Sequence, residues 1–278
     1  MSKKINKCRS VCVSFILQSF FFSILQFCAL SSRWRARQLP ACCSNVNLIL
    51  HFTQFYKNSV DDMYSDCKDE MTEKIKEFSK ELKQKDYDWE NEKKQIIKYH
   101  PFLTPDELTA LRVYTKNENG VYRKFNIATR TGKSEYGDSF EYHTLHFLLA
   151  SAIQKLKKDD KNKNYITYRR TTSTFEKKEE KIRLGSFTSS SLNPDFKDYG
   201  NETCFKITTN YGADIIKYSA HPEEEEVLIP PYEEFKFVEE EVKALSDCKT
   251  VYVLKSTGTK SNLDCNLVKK NSLFCCFG

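Results

Sequence analysis

Four carboxylates in a row, Glu223 to Glu226, run directly into the apolar segment Val227-Leu228-Ile229-Pro230-Pro231-Tyr232. Carboxylates that lead into a buried strand need a reason, because an unpaired buried carboxylate is costly. In an extended segment alternate side chains share a face, so Glu224 and Glu226 point one way while Glu223 and Glu225 point the other. Two carboxylates converging at a strand entrance can divide acid, base and cation-stabilising work between them. The same run also fits a solvated turn before a strand, so its meaning depends on what the chain places beside it.

Other chemistry-bearing clusters are weaker. His143 and His146 share a helix face at an i, i+3 spacing, but no third ligand lies in sequence reach, so packing or hydrogen bonding is expected of them. The 11 cysteines include no pair at zinc-ligand spacing with a matching second pair, and no metal is expected. With only 8 glycines and no Gly-rich loop, any phosphate would have to be held by side chains.

The elements that must position these residues change character along the chain. Met63, Cys67, Met71, Ile75, Phe78 and Leu82 recur every three or four positions, which predicts an amphipathic helix from Asp61 to about Leu82. Tyr87, Trp89, Ile96 and Ile97 suggest a second. Thr104 as N-cap, Pro105 behind it and Glu107 placed to close a capping box mark the start of a third. Val121 to Asn126 reads as helix or turn, Gly132 to Gly137 as a loop, and Leu145 to Leu156 as a strongly apolar helix closed by Lys157-Lys158. From Tyr165 onward the pattern is extended, with short strands expected at 165–169, 185–191, 203–207, 226–229, 234–238 and 250–254. Helices followed by strands predict an α+β domain.

Charge divides the chain differently. Eight of the 44 Lys and Arg, and no Asp or Glu, fall in the first sixty residues; the rest carries 36 basic against 38 acidic residues, a net of −2. The formal +6 therefore belongs to the leader, and the body has no electrostatic footprint for nucleic acid. Lys3, Lys4, Lys7 and Arg9 precede the uncharged stretch Val11 to Leu30, the pattern of a secretory signal, with Ala29-Leu30-Ser31 as a cleavage site. The stretch is also about long enough to span a bilayer, so a cleaved leader and an anchor both stay open, and membrane association through residues 11–30 with them. The cysteine count suits an oxidising destination, and secreted or membrane-associated, extracellular-facing placement is expected.

Three separated pieces, Ile166-Thr167-Tyr168-Arg169-Arg170-Thr171, Gly185-Ser186-Phe187-Thr188-Ser189-Ser190-Ser191-Leu192 and Glu224-Glu225-Glu226-Val227-Leu228-Ile229, resemble in order and spacing the arginine, serine and Glu-x-Glu motifs of the vertebrate arginine-specific mono-ADP-ribosyltransferases. The similarity extends from about Asp61 to Lys269 and includes Tyr122 to Thr131 with its Phe125-Asn126-x-Ala128 core. It implies a domain at 61–270 in which N-terminal helices pack on a two-sheet β core enclosing an NAD cleft. A signal or anchor at 1–32 and a linker at 33–60 would precede it, and a short tail at 271–278 would follow. That tail is too short for a glycolipid-anchor signal.

By the same resemblance Arg169 would hold NAD through its phosphates or ribose, and it is preferred to Arg170 because it follows Tyr168 directly. Ser189 would bind NAD and orient the catalytic carboxylate, with Ser190 and Ser191 as alternatives. Glu226 would stabilise the cation that forms as nicotinamide leaves. Glu224 would select and help deprotonate the acceptor guanidinium, which is protonated at ordinary pH. Tyr199 would set a ring against nicotinamide, or else pack at a strand end. Cys67 and Cys265 match the family's disulfide; Cys204 and Cys248 are additional, paired or free. The implied function is transfer of ADP-ribose from NAD to arginine in proteins or small guanidino compounds, against NAD hydrolysis or catalytically silent NAD binding as rivals. Asn201-Glu202-Thr203 is a glycosylation acceptor pattern beside the expected site.

Overall fold

The computed structural model describes residues 57–83, 88–96 and 100–272. The expected leader at 1–32, nearly all of the 33–60 linker and most of the 271–278 tail lie outside the described residues. No helix among the described residues is long and apolar enough to cross a membrane.

Among the described residues six α-helices come in the order α1 (Lys68–Lys74), α2 (Trp89–Lys94), α3 (Pro105–Lys116), α4 (Val121–Thr131), α5 (His143–Asp159) and, after all the strands, α6 (Asn266–Ser272). The capping box at α3 forms as expected: Glu107 N donates to Thr104 Oγ1 at 3.2 Å and Thr104 N donates to Glu107 Oε2 at 2.7 Å. The single helix predicted from Asp61 to Leu82 is instead α1 followed by a 3₁₀ turn, Ser79–Lys83. The reason lies at its start. Asp61 accepts from the backbone of Asn262 and Leu263, and Asp62 from that of Cys265, so these two buried acids tie the entry segment to the far end of the domain rather than open a helix. The Cys67–Cys265 disulfide closes the same junction.

The strands are β1 (Tyr165–Thr171), β2 (Lys181–Arg183), β3 (Thr188–Ser191), β4 (Thr203–Thr209), β5 (Ala213–Asp214), β6 (Glu226–Ile229), β7 (Glu233–Val238) and β8 (Thr250–Thr259). The short β2 and β5 escaped the sequence reading, being too short to show an alternation. The α+β class holds, but the expected two sheets do not separate: hydrogen bonding links all eight strands in the order β2-β7-β8-β4-β1-β3-β6-β5. The join is slender. β1 and β3 meet at one Cα pair, Tyr168 with Ser191, between a five-stranded and a three-stranded part. β4 and β8 run parallel and the remaining pairs antiparallel.

Two apolar clusters sit against this sheet. The larger joins the helices to Phe187, Leu228 and Tyr232; the smaller collects Phe175, Ile182, Phe205, Ile207, Ile229, Phe235 and Leu254. Leu228 and Ile229 fall in different clusters, which is why β6 is buried along its whole length and reads as an unbroken apolar run.

Candidate active site

The junction of β1, β3 and β6 floors a cleft of about 300 Å³, to which Tyr168, Arg169, Ser189, Tyr199, Glu224 and Glu226 all contribute. The carboxylates converge there, but not by strand alternation. Only Glu226 belongs to β6; Glu224 ends a 3₁₀ turn, Pro222–Glu224, and Glu225 between them is left-handed with φ 47°. The left-handed residue swings the chain so that Glu224 enters the cleft half-buried while Glu223 and Glu225 stay exposed.

Glu226 is 3% exposed, and its Oε1 has no hydrogen-bond partner among the described residues. Burial pushes its pKa up to about 7; the hydroxyl of Ser189 opposes that rise, the Glu224 carboxylate adds to it, and Arg169 and His221 oppose it. A buried carboxylate with an orphaned oxygen facing a cleft fits a hydroxyl-bearing, cationic ligand.

Register separates the three serines. Ser189 pairs with Leu228, two residues along from Glu226 and on the same face, so its hydroxyl reaches that carboxylate. Ser190 pairs with Val227 on the opposite face and donates to the Val227 carbonyl at 3.1 Å. The Ser191 hydroxyl accepts from Asn193 N at 2.9 Å and shapes the turn that follows.

The two arginines part in the same way. Arg169 Nη1 donates to the Ser189 carbonyl at 2.6 Å, and the Arg169 side chain faces the cleft half-buried. Arg170 is buried and makes a bidentate pair with Asp247, at 2.9 and 3.1 Å, while also donating to the Pro194 carbonyl at 3.0 Å. The Cys204–Cys248 disulfide forms beside this pair. Tyr199 is 53% exposed; its hydroxyl donates to Glu224 Oε1 at 2.9 Å and its ring lies 5.6 Å from that of Phe196.

Residues that the sequence reading did not single out support this arrangement. Tyr114 of α3 donates to the Phe187 carbonyl at 3.1 Å, shares a hydrogen bond with Ser189, and accepts from Asn126 of α4 at 3.2 Å. The Phe125-Asn126 core thus acts as a prop behind β3. Tyr122 hydrogen-bonds Arg169 and lines the cleft. Arg130, at the end of α4, shares with Arg169 the wall of a small adjoining cavity, and no carboxylate partners it among the described residues. Burial and then Arg169 lower its pKa. Two guanidinium groups beside one cavity, neither in direct ion-pair contact with a carboxylate among the described residues, suit a polyanion such as a pyrophosphate. The signal was present in the Tyr122 to Thr131 segment, but nothing in its spacing marked Arg130.

Among the described residues one cluster of acids lies at metal-ligand range, Asp88, Glu92 and Glu118, gathered around Lys116 at the edge of the cleft. Lys116 and Arg112 already pair with Glu92 there.

The chain is similar to known proteins in sequence and in fold. A family model described as NAD:arginine ADP-ribosyltransferase matches residues 53–262. The NAD(P)(+)--arginine ADP-ribosyltransferase 2 of Gallus gallus is 34% identical over 177 residues, covering 61% of this chain and 55% of its own length. This chain therefore spans about half the length of that relative. Ecto-ADP-ribosyltransferase 4 of Homo sapiens is 33% identical over 262 residues, covering 86% of this chain and 80% of its own. Among solved structures, the eucaryotic mono-ADP-ribosyltransferase ART2.2 superposes with a TM-score of 0.62 at 30% identity, covering 76% of this chain and 96% of that one. A variant of it in complex with NAD gives a TM-score of 0.63 at 29% identity.

Proposed function

The chain belongs to the NAD:arginine ADP-ribosyltransferase family, and from that premise we propose that it transfers ADP-ribose from NAD to the guanidinium of arginine and releases nicotinamide. The observation that carries this reading is the pairing of a buried, unsatisfied Glu226 with a second carboxylate, Glu224, in a cleft that also holds Arg169 and Ser189.

Each residue then has a task its surroundings permit. Arg169 and Arg130 bind the pyrophosphate as paired forks of donors. Glu226, with the hydroxyl of Ser189 orienting it, holds a ribose hydroxyl and stabilises the oxocarbenium-like charge that grows as the bond from ribose to nicotinamide breaks. Glu224 pairs with the acceptor guanidinium and takes the proton its attacking nitrogen must lose; fixed beside Glu226, it delivers that nitrogen to the ribose carbon. Tyr199 stands at the mouth, where its ring meets the nicotinamide side of the cleft and its hydroxyl steadies Glu224. No step calls for a metal ion.

The catalytic domain runs from about 61 to 270, and its acceptors are arginine-containing proteins or small guanidino compounds. The named relatives include ecto-enzymes, and an apolar leader at 11–30 with two disulfides supports action outside the cell. Hydrolysis of NAD is the competing outcome at the same site, and Glu224 favours transfer. Purified chain incubated with labelled NAD and agmatine should yield ADP-ribosyl-agmatine. Binding without turnover would overturn the reading.

A further inference from the structure

The chain holds a single Asn-x-Ser/Thr pattern, Asn201-Glu202-Thr203, and the reaction proposed above makes no use of it. Asn201 is exposed in the loop two residues before β4 and two residues beyond Tyr199, whose hydroxyl meets Glu224. Its base is held firmly: Lys249 N donates to the Asn201 carbonyl at 2.9 Å, and Asn201 Nδ2 donates to the Asp247 carbonyl at 3.3 Å. Asp247 in turn grips Arg170, which lines the cleft. A group attached at Asn201 Nδ2 would therefore stand on the rim beside Tyr199 and Glu224, the side from which the acceptor enters.

We propose that Asn201 carries an N-linked glycan that borders the acceptor side of the cleft and restricts acceptors to guanidino groups on small molecules or extended chain segments. The acceptor part rests on the proposed transferase reading. In the attaching reaction the Asn201 amide nitrogen displaces a lipid pyrophosphate from the first sugar of a lipid-linked oligosaccharide, forming the N-glycosidic bond and losing one of its two protons. The proton that remains can still donate to the Asp247 carbonyl, so the folded loop accommodates the product. Two disulfides place the chain in the oxidising compartment where such donors are used.

The order of events is also fixed. Thr203 is fully buried, and its Oγ1 accepts from Phe175 N at 3.2 Å, so the complete pattern is accessible to a transferase only before β4 joins the sheet. Attachment must precede folding.

The test is to express the full chain from its own N-terminus in vertebrate cells, treat it with peptide N-glycosidase, and map the site by mass spectrometry. Wild type should shift to lower mass with Asn201 converted to Asp, and Asn201→Gln should show no shift. A purified wild-type chain without a glycan at Asn201 would overturn the proposal. For the acceptor side, Asn201→Gln and the deglycosylated wild type should modify a folded arginine-bearing protein severalfold faster than glycosylated wild type, with agmatine modified at one common rate. Equal rates on the folded protein would overturn that part. The glycan is read by mass, so its presence is decided whether or not the chain turns over NAD.

Discussion

Arg169 donates through Nη1 to the backbone carbonyl of Ser189 at 2.6 Å, so the residue proposed to hold NAD also fixes the strand that carries the hydroxyl on Glu226. Cofactor grip and carboxylate orientation are thereby coupled across the single-pair junction of β1 and β3. Loss of either partner should be felt at both.

Glu226 must be ionised to stabilise a cation, and burial has moved its pKa up to about 7. The rate of NAD turnover at limiting substrate should therefore fall about tenfold per pH unit below that value and level off above it. Measuring kcat/KM for NAD from pH 5 to 9 checks this, since that quantity reports the free enzyme. Glu226→Gln should lose on the order of 10²- to 10³-fold in turnover above pH 7, by analogy with removal of other charge-stabilising groups, and should show no matching pH dependence, so that its deficit against wild type narrows toward pH 5.

The same shift has a consequence for stability. The folded pKa of Glu226 lies above the ordinary value of 4.5 that it has in the unfolded chain, so its favourable contribution is complete below about 4.5 and is lost as pH rises through about 7. Glu226→Gln removes that penalty and should raise the Tm at pH 8, by a stabilisation of about 1–3 kcal/mol, and by less at pH 5. Thermal unfolding at the two pH values measures it.

Adjacent arginines should respond in opposite ways. Arg170→Ala leaves the buried anchor between β1 and the Asp247 loop unmade and should lower the Tm by several degrees. Arg169→Ala should leave the Tm within a degree or two of wild type and weaken NAD binding by on the order of tenfold or more. Parallel calorimetry and NAD titration distinguish the two.

Arg130→Ala should raise the KM for NAD by on the order of tenfold with a smaller change in kcat, because its proposed task is to bind the pyrophosphate and not to touch the breaking bond. A loss confined to kcat would assign it another part.

Much of this site could be read from the sequence, and the exceptions have physical causes. The α3 cap, the long helix α5 and the major strands follow local rules of capping and period, so they appeared where expected. The pairing of Cys67 with Cys265 followed from resemblance; that of Cys204 with Cys248, left open, is decided by β4 and the Asp247 loop meeting in space. Glu224 and Glu226 do share a cleft, but a left-handed Glu225, which no alternation rule anticipates, brings them there. Asp61 and Asp62 looked like a helix start because their partners, Asn262, Leu263 and Cys265, lie some two hundred residues away. Arg130 was invisible for a similar reason. Its significance is that no carboxylate pairs with it among the described residues and that Arg169 shares its cavity, and neither is a local property.

The central claim is that Glu226 performs the chemistry on NAD while Glu224 chooses the acceptor. Its most direct test is the ratio of ADP-ribosyl-agmatine to free ADP-ribose formed from labelled NAD and agmatine, measured for wild type and Glu224→Gln side by side. Wild type should form mainly the agmatine adduct. Glu224→Gln should lose on the order of 10²-fold in adduct while still releasing ADP-ribose. An equal fall in both products, leaving the ratio unchanged, would contradict this division of labour.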